Sequence, residues 1–154
     1  MNSPPHLSTE WQIWFDGSAY PNPGRLGLGA LLRGPDGQHI ELSTTAHGNG
    51  CNNEAELLAL EQALRLAGEA GAAHLRVRGD SDFVVRHLNG EARTDIARLH
   101  GIIERLQTEL GAFVSVRLEW VPRHRNPDAD RLSRAALGLP DKPAPRPISR
   151  RRRR

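Results

Sequence analysis

Residues 11–46 read WQIWFDGSAYPNPGRLGLGALLRGPDGQHIELSTTA, and this stretch decides the fold. WQIWF (11–15) reads as a strand that delivers Asp16 at its end. GSAYPNPGRLG, rich in Gly and Pro, reads as a turn. LGLGALLR (26–33) reads as a second strand, and Pro35-Asp36-Gly37 is a strong hairpin signal. A third strand follows from about Gln38 to Ala46. Joined by turns alone, the three strands predict an antiparallel meander.

Beyond GNGCNN the pattern becomes helical. Apolar residues recur at Leu57, Leu60, Leu64 and Ala67, which predicts a helix over 54–70 with Gly71 as its stop. HLRVRG (74–79) reads as a short strand leading to Asp80. A short helix is expected over 82–89, broken by Asn89-Gly90. Another is expected over 94–110, with Ile96, Leu99, Ile103, Leu106 and Leu110 on one stripe. FVSVRLEW (113–120) reads as a last strand, and Asn126-Pro127 opens a last helix with Pro at its first position. Strands connected through helices run parallel. The expectation is therefore an α/β fold, a five-stranded mixed sheet with helices on its faces.

The chain has 154 residues, the length of one domain. With 38% hydrophobic and 25% charged residues, a buried core is expected. No apolar run approaches a membrane span of roughly 20 residues, and MNSPPHLSTE has no signal-peptide pattern. Cys51 is the only cysteine, which excludes a disulfide framework and fits a cytoplasmic protein. The formal charge of +3 is misleading. Residues 146–154, RPISRRRRR, hold six arginines, so the remaining 15 Lys and Arg face 18 Asp and Glu. The expected organisation is a leader over 1–9, a domain over 10–139 and a disordered Pro/Arg-rich tail over 140–154.

Four carboxylates stand out by context: Asp16 in FDGS, Glu56 in CNNEAEL, Asp80 in GDSDFVV and Asp130 in NPDADRLSRAA. Asp16 and Asp80 each follow an apolar strand, so parallel neighbours would bring both to one sheet edge, where open α/β sheets bind ligands. Oxygen donors without His or Cys favour Mg²⁺ or Mn²⁺ over zinc. Each residue also has a purely structural reading. Asn53-x-x-Glu56 fits a capping box, Asp80 a helix cap, Asp130 a helix-dipole partner and Asp16-Gly17 a turn. The four together, in this order, outweigh those separate readings.

FDGSAYPNPG, CNNEAELLAL, GDSDFVV and WVPRHRNPDADRLSRAA resemble, in order over about residues 10–138, the successive motifs of type 1 ribonuclease H. The resemblance implies a ribonuclease H-like fold and endonucleolytic hydrolysis of the RNA strand of RNA–DNA hybrids, leaving 5′-phosphate and 3′-hydroxyl ends. It implies that Asp16, Glu56, Asp80 and Asp130 are catalytic and hold two Mg²⁺ ions, with Mn²⁺ as an alternative. In that scheme Asp16 bridges, Asp80 and Asp130 serve the nucleophile side, and Glu56 serves the leaving-group side. In-line phosphodiester hydrolysis suits such a pair of ions, because it needs an activated water and charge relief on the departing oxygen.

The resemblance also implies that Asn22, Asn52 and Asn53 touch the minor groove, where hybrids are read by shape and 2′-hydroxyls. Turn and cap roles stand beside those readings. Ser81 is a candidate DNA-phosphate contact and equally a helix N-cap. His124, six residues before Asp130, matches a catalytic histidine of many relatives. Its loop looks shorter here, so proton transfer, phosphate contact and plain exposure all remain open for it. Trp11, Trp14 and Trp120 are expected in the core.

A hybrid-binding domain ahead of Trp11 and a basic Lys/Trp-rich insertion, both found in some relatives, are not seen. The arginine tail is therefore a candidate arm for nucleic-acid phosphates, or else a solvated end. The expected partner is an RNA–DNA hybrid, with no membrane, and the chain is expected to be a monomer. Another nuclease of the same fold, a non-catalytic hybrid-binding module and a piece of a reverse transcriptase are the competing readings.

Overall fold

The computed structural model of the chain describes residues 9–141, so residues 1–8 of the expected leader and 142–154 of the expected tail lie outside the described residues. The strands are β1 (Glu10–Tyr20), β2 (Gly24–Arg33), β3 (His39–Gly50), β4 (His74–Gly79) and β5 (Ser115–Trp120). The helices are α1 (Asn52–Glu69), α2 (Asp82–Leu88), α3 (Ala97–Leu110) and α4 (Pro127–Ala136), with a single 3₁₀ turn over Arg123–Arg125. Sheet order is β3-β2-β1-β4-β5. β1, β2 and β3 pair antiparallel; β4 joins β1 in parallel and β5 joins β4 in parallel. This is the expected five-stranded mixed sheet.

The period-two alternation of the strands sorts the two faces of the sheet. Trp11, Ile13 and Phe15 of β1, with Leu26 and Leu28 of β2 and Leu75 and Val77 of β4, face the buried stripe of α1. Leu99, Ile102, Ile103 and Leu106 of α3 close the same core. On the other face, a Cβ at Gly27 or Gly29 would collide with the backbone of α4 at Ser133 and Ala129. The LGLG run thus gives the α1 face its leucines and lets α4 lie directly on β2.

Four expectations are corrected. β1 does not end at Asp16 but runs to Tyr20, because β2 still pairs with it from Asp16↔Gly29 to Tyr20↔Arg25. β4 pairs only as far as Phe15↔Gly79, so Asp16 is the first β1 residue beyond the parallel ladder. The turn shrinks to residues 21–23. Ile96 does not join the apolar stripe; it is the extended N-cap residue of α3 and is exposed. Trp11 is buried as expected, but Trp120 is 51% exposed on the edge strand, its indole N–H donating to the Asp80 carbonyl. Among the described residues no helix is long and apolar enough to cross a membrane.

Candidate active site

The mixed sheet brings three acidic residues together. Asp16 leaves the middle of β1, Asp80 follows the last residue of β4, and Glu56 sits in the second turn of α1. One carboxylate oxygen from each lies within 4.8 Å of the others. Glu56 is held by the Gly17 N–H, which donates to its Oε1 at 3.1 Å. That contact requires β1 to touch the start of α1, and Gly17 permits it by having no side chain.

The capping-box reading of Asn53-x-x-Glu56 does not hold. The N-cap is Cys51, without a side-chain cap bond, so both residues lie inside the helix. Asp130, in the first turn of α4, lines the same cleft of about 390 Å³ but stands outside the tight group of three.

Burial and like charge dominate the electrostatics. Asp16 is pushed up to about 7, first by burial and then by the charge of Asp80. Glu56 is raised well above the usual carboxylate range, again by burial first and then by Asp16. Holding such a cluster ionised needs an opposing cation, and its all-oxygen donor set suits a hard divalent one.

An unfolded Asp ionises near pH 3.9, so between about pH 4 and 7 the unfolded chain has released a proton that folded Asp16 still holds. Stability of the metal-free protein therefore falls as pH rises through that window, by at most about 1.4 kcal/mol per pH unit for one proton. Thermal melts in chelator should show a lower Tm at pH 8 than at pH 5. Added Mg²⁺ should raise the Tm more at pH 8. A chelated Tm that rises over this range would contradict the cluster.

Asn126 is a site residue that the sequence reading missed. It is buried at the N-cap of α4, yet it makes no cap bond. Its Nδ2 instead donates to the Phe15 carbonyl at 2.9 Å and to Asp80 Oδ2 at 3.0 Å. It thereby fixes Asp80 to β1. The Asn-Pro pair reads only as a helix start, which conceals this role. If Asp80 holds a metal ion, Asn126→Ala should lower the metal-dependent kcat by roughly 10–100-fold, the loss that follows removal of a group orienting a ligand. Steady-state kinetics checks this.

Ser133 was also missed; it is fully buried, and its Oγ reaches Asp16 Oδ2 at 3.3 Å and the Asp130 carbonyl at 3.0 Å. Arg123 and Arg134 line the cleft as its cations.

The remaining candidates divide. Asn52 and Asn53 line the cleft, and Asn52 Oδ1 accepts from the Ala19 N–H at 2.8 Å. Asn22 is outside the lining; its Oδ1 accepts from the Asn52 N–H at 3.1 Å and so braces Asn52. Ser81 lines the cleft and is the N-cap of α2, its Oγ accepting from the Val84 N–H at 3.1 Å. His124 is exposed on the 3₁₀ turn and does not line the cleft. Successive residues of a three-residue turn point in different directions, and Arg123 takes the one beside the cleft.

The sequence model of the family described as Reverse transcriptase-like matches residues 14–136. Ribonuclease HI of Halobacterium salinarum is 34% identical over 124 residues, 80% of this chain and 62% of that protein. A bifunctional protein of Mycobacterium tuberculosis is 34% identical over 79% of this chain and 34% of its own length. This chain thus spans less than two thirds of either relative. The solved RNase H1 of Halobacterium salinarum superposes with a TM-score of 0.79 at 34% identity, covering 84% of this chain and 98% of that one. LC11-RNase H1, solved in complex with an RNA/DNA hybrid, gives 0.76 at 28% identity over 83% and 96%. In this chain α2 and α3 are joined by residues 89–96, whose only Lys or Arg is Arg93. With its five-stranded sheet, its clustered acidic residues and no basic insertion at that place, the chain belongs to the reverse transcriptase-like family, in the compact type 1 ribonuclease H form.

Proposed function

We propose that this chain is a metal-dependent endoribonuclease that hydrolyses the RNA strand of RNA–DNA hybrids and leaves 5′-phosphate and 3′-hydroxyl ends. The observation that carries the reading is the convergence of Asp16, Glu56 and Asp80 beside Asn52 and Asn53 in one open cleft. The hybrid bound in the LC11-RNase H1 structure supports the substrate.

Asp16, Glu56 and Asp80, joined by Asp130, would hold two Mg²⁺ ions, for which Mn²⁺ could substitute. Such a pair, when bound, supplies an activated water and charge relief at the departing oxygen. The chain's own groups do the rest. Asn126 and Ser133 orient Asp80 and Asp16. Asn52 and Asn53, with Asn22 behind them, meet the minor groove, and Ser81 meets the DNA strand. Arg123 and Arg134 oppose the charge of the scissile region. His124 is assigned proton transfer on resemblance alone, and an unchanged kcat in His124→Ala would remove it from the site.

The catalytic unit is residues 10–139, working as a monomer on nucleic acid and not on a membrane. The arginine-rich 146–154 segment adds phosphate contacts. The reducing cytoplasm is the compartment that a lone cysteine fits.

The test is a substrate panel: RNA–DNA hybrid, duplex RNA, duplex DNA and single-stranded RNA, each with Mg²⁺, followed by analysis of product ends. Cleavage confined to the hybrid, with products extendable from a 3′-hydroxyl, is expected. Equal cleavage of duplex RNA or DNA would overturn the substrate.

A further inference from the structure

Opposite α1, the sheet is covered only in part. α4 lies over β2, and beside it Trp14 of β1 is half-buried on the open face. The Arg78 guanidinium stands 5.2 Å from the Trp14 ring centroid and that of Arg33 5.8 Å. Against this ring lies a second cavity of about 210 Å³, walled also by Leu31, Arg125, Asn126 and Pro127.

Two features give the cavity a chemistry. First, Arg33 and Arg125 are exposed, and neither is ion-paired with a described residue. The one carboxylate on its wall, Asp128, is already 3.6 Å from Arg131. Second, the cavity is back to back with the cleft. Asn126 forms part of its wall and donates to Asp80 on the other side. The 3₁₀ turn contributes Arg123 to the cleft and Arg125 to this cavity.

Two guanidiniums without an ion-pair partner among the described residues match a phosphate, whose oxygens accept their forked donors, and the Trp14 ring on which Arg33 rests gives an apolar wall beside it. A free anion would have no reason to lie beside the cleft, whereas a polynucleotide crossing the cleft presents phosphates at regular intervals on either side. With only Arg93 between α2 and α3, grip on flanking duplex has to come from elsewhere.

We propose that the cavity bounded by Trp14, Arg33 and Arg125 is a second phosphate-binding subsite, which seats a backbone phosphate of the hybrid beyond the linkage that is cut. The proposal rests on the reading of the cleft as a hybrid-binding site.

The test compares wild type, Arg33→Ala/Arg125→Ala and Arg33→Lys on two hybrids. One hybrid just fills the cleft; the other extends a helical turn to either side. Kinetics and equilibrium binding are followed across a salt series, with thermal melts to confirm folding. On the long hybrid, the double variant should show KM raised several-fold with kcat held. Its salt slope should fall by about 1–2, as expected for one or two lost phosphate contacts. The short hybrid should lose much less, and Arg33→Lys should retain most of the salt slope. An unchanged KM and slope on the long hybrid would overturn the subsite, and so would equal losses on both hybrids. If the wild type binds the hybrid without cutting it, the cleavage reading fails, while the binding and slope comparison still decides the subsite.

Discussion

Asp80→Asn is expected to cut hybrid hydrolysis by at least roughly 10³-fold, a loss of about 4 kcal/mol of transition-state stabilisation. The substitution keeps the side chain's shape, and its carbonyl oxygen can still accept from Asn126 Nδ2, so the end of β4 has no reason to move. What it removes is one of three charges whose oxygens lie within 4.8 Å. The same removal relieves Asp16, because Asp80's charge is the second cause of that residue's raised pKa after burial. In chelator at pH 8 the variant should therefore melt no lower than wild type, while being inactive with Mg²⁺. Inactivity with preserved or greater stability separates a functional charge from a structural one. Retention of more than a tenth of the activity would remove Asp80 from the site.

Gly17→Ala should have the largest effect on stability. A Cβ there would overlap the backbone of Ala55 and Glu56 at the start of α1, and neither is the movable end of a side chain. β1 and α1 would have to separate, opening the core where Phe15 and Leu57 are fully buried. A cost of about 3 kcal/mol is expected for such overpacking against backbone. At roughly 2–4 °C per kcal/mol for a chain of this size, the Tm should fall by about 6–12 °C. The Gly17 N–H would also draw away from Glu56, so activity should fall further than unfolding accounts for. A melting temperature within about 2 °C of wild type would contradict the close approach, which the 2–4 °C per kcal/mol scale makes visible.

The strand directions were legible because their logic is local. Turns of a few residues compel antiparallel neighbours, and helical connections compel parallel ones. The leucines that alternate with glycines in LGLG likewise declare their faces. Asp16 was harder to place. A strand in mid-sheet has two edges, and β1 loses its β4 partner at Phe15 while keeping β2 to Tyr20. No one-dimensional pattern reports two different ends for one strand. Asn126 was concealed by a pattern that was itself correct: Asn-Pro does open α4, but the cap side chain is spent on Phe15 and Asp80. Ile96 fits the helical period and fails because the helix begins one residue later. Around Asp130, the sequence marks the right helix but not which of Arg123, His124 and Arg125 faces the cleft, since that depends on how a 3₁₀ turn is phased.

If the Asp16, Glu56 and Asp80 cluster makes this chain a metal-dependent cutter of RNA paired to DNA, one hybrid decides it, labelled at an end of its RNA strand in one sample and of its DNA strand in another and incubated with Mg²⁺ or with chelator. Internal cuts are then expected in the RNA strand only, in Mg²⁺ only. Cleavage that persists in chelator, or that falls on the DNA strand, would contradict it.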